Sequence, residues 1–203
     1  MRTWPPTRPR SSSISTWRRA GCSGSRWAVS SPRPLARTRP DLVRSLVLLA
    51  SAGRTTAYCR LLAEAERDVI RASPSPQRFE LASDVTLALP PTVLQNDDAM
   101  VLETAELLGL REGWVDPGRR GQYEASWSWL LDGPPPDRYR GLTQPCLVAA
   151  FELDLLFPPR VGREAAAEIP RGEFVEIPGT THGGLFDAAE MINGVVLEFF
   201  ARH

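Results

Sequence analysis

Lysine is absent from this 203-residue chain; all 24 basic residues are arginine, which reflects GC-rich coding DNA more than any demand of a fold. Histidine is almost absent too. His182 and His203 are the two present, which excludes a histidine-rich metal centre. Cys22, Cys59 and Cys146 lie too far apart in sequence for a disulfide framework or a zinc site. No apolar run approaches a membrane span, the longest being Leu46–Ala50 and Cys146–Phe151. The apolar core of a signal peptide is also missing, so the expectation is a cytoplasmic protein. What remains is an ordinary globular balance, 42% apolar and 24% charged, at a length that suits one domain or one domain with a small insertion.

The formal net charge of zero conceals an asymmetry. Residues 1–40 carry nine arginines and no acid, whereas residues 41–203 carry the other fifteen arginines and all 24 acids. The first segment also holds eight serines and six prolines, with no apolar period of 2 or 3.6. Each proline removes a backbone donor and disfavours helix before it. Residues 1–38 are therefore expected to be irregular or disordered. A targeting or nucleic-acid-binding arm is the function that such charge alone suggests; deleting the segment tests it, and the reading taken here has no nucleic-acid or membrane partner.

After Pro40 the pattern becomes regular. Asp41-Leu-Val-Arg-Ser-Leu-Val-Leu-Leu-Ala50 ends in the unbroken apolar run of a strand buried on both faces. Helical spacing then appears over 56–72 (Tyr58, Leu61, Leu62, Val69, Ile70), over 98–109 (Val101, Leu102, Ala105, Leu108) and over about 118–131. Gly133-Pro-Pro-Pro136 closes that block. A second buried strand follows at 146–151, a helix opening on Pro158-Pro159, a third strand at 173–177, and a final helix over about 185–201. That last helix places Leu185, Ala188, Ile192, Val195, Val196 and Phe199 on one stripe. Apolar strands alternating with helices predict an α/β fold, a mostly parallel sheet flanked by helices.

In such sheets functional groups gather beyond the carboxyl ends of the strands. Asp154 lies three residues past the second strand and His182 five past the third. A carboxylate that orients an imidazole makes the base half of a Ser–His–Asp relay. The plainer reading is that Asp154 caps the following turn and that His182 is a turn residue beside Gly183-Gly184.

With those residues in place, the chain from 40 to 203 resembles the carboxyl-terminal two-thirds of an α/β-hydrolase. The resemblance rests on Arg39-Pro-Asp-Leu-Val-Arg-Ser-Leu-Val-Leu-Leu-Ala50, Gln144-Pro-Cys-Leu-Val-Ala-Ala-Phe-Glu-Leu-Asp154 and Glu176-Ile-Pro-Gly-Thr-Thr-His-Gly-Gly184. It implies a partial α/β-hydrolase fold with core segments 39–53 and 137–203 and a helical cap at 54–136. It implies Asp154 as the acid, His182 as the base, no cofactor, no metal, and a small-molecule substrate such as an apolar ester. Trp114, Tyr123, Trp127 and Trp129 fall in the cap, where they either line a substrate pocket or pack the cap onto the body.

The family pattern also needs G-x-S-x-G at a tight strand-to-helix turn. Here the corresponding stretch is Gly21-Cys-Ser-Gly-Ser25, which lacks the final glycine, and Ser23 and Ser25 are the nearest hydroxyls. Family spacing puts the nucleophile at Arg26, which cannot serve. The earlier half of the sheet, whose loop supplies an oxyanion-hole donor, has no counterpart, and the strand at 45–51 is expected to show a bare apolar edge. One set of codons for Gly21–Arg33, read in another frame, spells L-L-G-V-S-M-G-G-L-V-A-Q, a strand running into a complete elbow. The expectation is therefore a hydrolase of an ester or related carbonyl compound, impaired for want of its nucleophile, the alternative being an inactive hydrolase-like fragment or binding module.

Overall fold

The structure is a computed structural model that describes residues 20–24, 32–51, 53–72, 77–109, 117–132, 139–184 and 188–203. Four strands form one parallel sheet in the order β1 (Ala20–Gly24), β2 (Val43–Leu49), β3 (Cys146–Phe151) and β4 (Gly172–Ile177). The ladders set Leu48 beside Val148 and Val148 beside Phe174. β3 and the helix α7 (Pro159–Glu168) fall where the sequence predicts them; β2 begins earlier, at Val43.

Alternation along the strands supplies two cores, because successive side chains leave opposite faces of a sheet. Leu46, Leu48, Cys146 and Val148 pack on one face with Ala36 of α1 (Pro32–Thr38) and with Ala165, Ala166 and Ile169. Val47, Leu49, Leu147, Ala149 and Phe151 pack on the other with Ile192 and Phe199 of the last helix (Ala189–Arg202, called α8 below). Both faces of the two central strands are covered, so Leu46–Leu49 and Cys146–Phe151 are apolar without alternation. A fully buried leucine in such a layer contributes about 1.5–3 kcal/mol. The stripe predicted for the last helix is the one that packs, from Ala188 through Phe199; Leu185 lies outside the described residues.

The irregular start expected for residues 1–38 is corrected at two places. Ala20–Gly24 pairs in parallel with β2, from Ala20 beside Val43 to Gly24 beside Leu48, so the edge of β2 expected to be bare is covered. An open strand edge offers unpaired N–H and C=O groups, and a short segment with no strand pattern of its own satisfies them. Pro32 and Pro34 do not block α1, because the first turn of a helix has no intrahelical use for their missing N–H groups. Ala36 is buried and its carbonyl accepts from the Gln144 side-chain amide at 2.9 Å.

Between β2 and β3 the chain forms α2 (Ala57–Ala72), α3 (Gln77–Ala88), α4 (Pro91–Asn96), α5 (Asp98–Gly109) and α6 (Pro117–Trp127), with a wider turn over Ser128–Asp132. α3 packs on α5, and α2 on α6. On α2 the buried line runs through Cys59, Ala63 and Glu66, while Tyr58 and Leu61 face solvent, although apolar spacing puts them on the inner face. Small residues on that line admit the close approach of Tyr123 and Trp127. Leu102 of α5 is likewise exposed.

Candidate active site

Asp154 follows a two-residue turn after β3 and its side chain is fully buried. Its backbone N–H donates to the Phe151 carbonyl at 3.1 Å. Oδ1 accepts from the backbone N–H groups of Leu156 and Phe157 at 2.7 and 3.0 Å, and Oδ2 lies 2.8 Å from His182 Nδ1. Turn cap and imidazole partner are therefore one carboxylate, and the two readings open in the sequence do not compete. A carboxylate accepts, so Nδ1 donates and Nε2 is left as the acceptor.

His182 stands in the turn after β4, with 11% of its side chain exposed. The chain leaves β4 through Pro178-Gly179, where Gly179 adopts φ +67, a left-handed conformation that costs a side-chain-bearing residue about 1–2 kcal/mol. The Thr180 hydroxyl donates back to the Ile177 carbonyl at 2.7 Å, and the Thr181 hydroxyl donates to the Ala88 carbonyl at 2.6 Å. The end of α3 thus rests on the histidine turn. Gly183 is required there, since a Cβ on it would lie 2.6 Å from Ala88 Cα.

The Phe157 ring lies 6.1 Å from the imidazole, centroid to centroid, and the Trp129 ring lies 6.4 Å from Phe157. The Arg33 guanidinium sits 5.2 Å over Trp129. Cys59 and Leu87 pack with Leu156 and Phe157 beneath Trp129. Of the aromatic residues expected to line a pocket, Trp129 alone among the described residues reaches this neighbourhood. Tyr123 and Trp127 stack on each other at 5.5 Å and pack with Ala63 inside the helical block, in keeping with the packing alternative open in the sequence. Trp114 lies outside the described residues.

Ser23 lies in β1 beside Val47, and Ser25 falls outside the described residues. Phe157, Glu152 and Thr181 join the site without having been marked in the sequence. Only position offered a signal for them, since each is within three residues of Asp154 or His182. Among the described residues no three His, Cys, Asp or Glu side chains group as a metal site, and no helix is long and apolar enough to cross a membrane. Burial in the first core pushes the Cys146 thiol up to about 12, against a smaller lowering by the Arg33 charge.

No protein-family model matches the chain. Over 166 residues, 80% of its length, it is 30% identical to a Mycobacterium tuberculosis protein that carries the name non-heme bromoperoxidase BpoC, and it spans 60% of that relative. The crystal structure of BpoC superposes with a TM-score of 0.72 at 26% identity, covering 90% of this chain and 67% of BpoC. A thermophilic esterase from Thermogutta terrifontis gives 0.69 at 17% identity, covering 93% of this chain and 67% of the esterase. MGS-M2, an α/β-hydrolase from a deep-sea metagenome library, gives 0.71 at 16% identity, covering 91% and 66%. These last two show a shared fold. Taken with the parallel sheet, the turns that follow β3 and β4 and the likeness to BpoC, they show that the chain has the α/β-hydrolase fold.

Proposed function

We propose that Asp154 and His182 are the acid and base of a Ser–His–Asp relay that hydrolyses an ester or related carbonyl compound. The observation that carries this reading is the 2.8 Å contact between two loops 28 residues apart in sequence. With Nδ1–H held by Asp154, Nε2 takes the proton of a hydroxyl nucleophile as its oxygen bonds to the carbonyl carbon. The imidazolium then returns the proton to the departing alcohol as the carbon–oxygen bond breaks, leaving an acyl-enzyme. Water, deprotonated by the same nitrogen, releases the acid and restores the hydroxyl. The helical block at 54–136 acts as the cap, with Trp129 and Phe157 forming an apolar wall beside the imidazole.

In this reading the relay is short of its first member. β1 ends at Gly24, and the stretch 25–31, where the nucleophile is expected, lies outside the described residues. Gly21-Cys-Ser-Gly-Ser25 has no closing glycine, and G-x-S-x-G needs it for the strained strand-to-helix turn. Ser23 and Ser25 are the nearest hydroxyls. That departure favours a second reading, an inactive hydrolase-like chain or binding module that keeps the acid–base pair. Short-chain p-nitrophenyl esters separate the two. Turnover abolished by His182→Ala and by Asp154→Asn means that a hydroxyl at or near Ser23 or Ser25 does the work; no turnover above the variants leaves the second reading.

A further inference from the structure

The ladder between β3 and β4 stops at Phe151 beside Ile177, and the two turns that carry Asp154 and His182 lie beyond it. Three contacts in succession join them there. The Glu152 N–H donates to the Ile177 carbonyl at 3.1 Å, the Leu153 N–H donates to the Thr180 carbonyl at 2.8 Å, and Glu152 Oε2 accepts from the Gly179 N–H at 2.7 Å. Two of these are backbone bonds that any sequence can make. The third depends on a side chain, and one that faces solvent, so packing does not explain it. A carboxylate accepting from a backbone N–H makes a short, charge-assisted bond, about twice as strong as a neutral one. It falls on Gly179, the left-handed residue at which the chain turns toward His182.

We propose that Glu152 is a positioning residue whose carboxylate clamps the turn after β4 to the turn after β3, holding the His182 imidazole in line with Asp154. The functional meaning of the clamp rests on the reading of that pair as acid and base; the clamp itself does not. From the turn after β3 the histidine turn is held by the Glu152 carboxylate on Gly179 and by the Leu153 N–H on the Thr180 carbonyl, and from the helical block by Thr181 on Ala88. Removing the carboxylate frees Gly179 and leaves the turn on its backbone bonds and on Thr181, so that it opens more readily and exposes the Nδ1 proton to water.

The test is the exchange of that proton, followed by proton NMR in the full chain. His203→Gln leaves His182 as the single imidazole, since the sequence has two histidines. A slowly exchanging downfield Nδ1–H signal is expected in this parent. Glu152→Ala and Glu152→Asp, the latter too short to reach Gly179, should speed exchange about tenfold or more, the ratio that corresponds to ~1.4 kcal/mol of easier opening. Glu152→Gln keeps an acceptor oxygen and should stay near the parent rate. An unchanged rate in Glu152→Ala with a lowered Tm makes the bond merely structural and overturns the proposal, as does a parent with no protected Nδ1–H. Where Glu152→Ala fails to fold, the aspartate variant decides. Failure of the hydrolase reading shows differently, as absent turnover with the exchange pattern intact.

Discussion

Asp154 and His182 meet at 2.8 Å through Oδ2 and Nδ1, while Oδ1 of the same carboxylate accepts the N–H groups of Leu156 and Phe157. One buried side chain thus shapes the turn after β3 and orients the imidazole, so its loss has a structural cost and a chemical one that substitutions can separate.

Asp154→Ala strands two backbone donors and the imidazole N–H. Each buried donor left unpaired costs about 1–3 kcal/mol, so a loss of roughly 3 kcal/mol or more is expected in urea unfolding. Asp154→Asn keeps an oxygen for Leu156 and Phe157 and should lose less than half as much. Its amide nevertheless presents N–H toward His182, favours the wrong tautomer, and should remove general-base action by about 10³–10⁴-fold in any variant that turns over. Equal stability losses for the two variants would contradict the double use of the carboxylate.

Gly183→Ala places a methyl group 2.6 Å from Ala88 Cα and 2.9 Å from the Ala88 carbonyl oxygen, both backbone atoms. The end of α3 or the histidine turn must move, and a destabilisation of about 1–3 kcal/mol is expected. The matched control is Gly194→Ala in α8, where the new methyl meets nothing within 4 Å. There a gain of about 0.5–1 kcal/mol is expected from helix propensity. Thermal melts of the two variants should move in opposite directions.

Much of this was legible in the sequence, for reasons visible in particular residues. Val47, Leu48, Leu147 and Val148 are apolar without interruption because helices cover both faces, and Asp154 and His182 stand at fixed offsets past strand ends. Two helices, α3 and α4, left no comparable trace. Phe79, Val85, Leu87 and Leu89 keep no clean helical period, because α3 packs against α5, Cys59 and Phe157 on different sides. Trp127 and Trp129 are two residues apart and reach different surroundings, one inside the helical block and one beside Phe157. Composition cannot separate these, since an aromatic ring suits a core and a pocket equally. The Glu152 clamp was invisible because a glutamate after a strand has no pattern of its own.

Cys146 gives a prediction with a defined sign. Burial raises its thiol to about 12, above an unfolded value near ~8.5. From about pH 9 upward the unfolded chain ionises this group while the folded chain does not, so its effect is to lower stability as pH rises through that window and none below it. Iodoacetamide at pH 8 should leave Cys146 unmodified in the folded protein and modify it fully in urea. Rapid labelling of native Cys146, read by peptide mass, would contradict its place in the core.

Glu173 works in the opposite direction. Its hydrogen bond to Arg202, aided by that to His203, holds the carboxyl below the usual range and pins the end of α8 to β4. A depressed carboxyl stabilises the fold above its unfolded value near ~4.3 and loses that effect as pH falls through the folded value. Glu173→Gln should therefore lower Tm at pH 7, and the difference from the parent should narrow as the pH falls below the unfolded value. The groups are largely exposed, so the shift is small and should shrink in high salt. A difference that persists unchanged at pH 3 would assign the effect to packing instead.

The most direct measurement supplies the missing partner. The peptide L-L-G-V-S-M-G-G-L-V-A-Q, placed in residues 22–33, sets an elbow serine at position 26, where family spacing puts the nucleophile, and hydrolysis of p-nitrophenyl acetate is followed in that chain and in its His182→Ala form. Turnover that appears with the elbow and vanishes with the imidazole is the result predicted here. Turnover indifferent to His182→Ala in a soluble, folded chain would contradict the assignment of Asp154 and His182 as the acid and base.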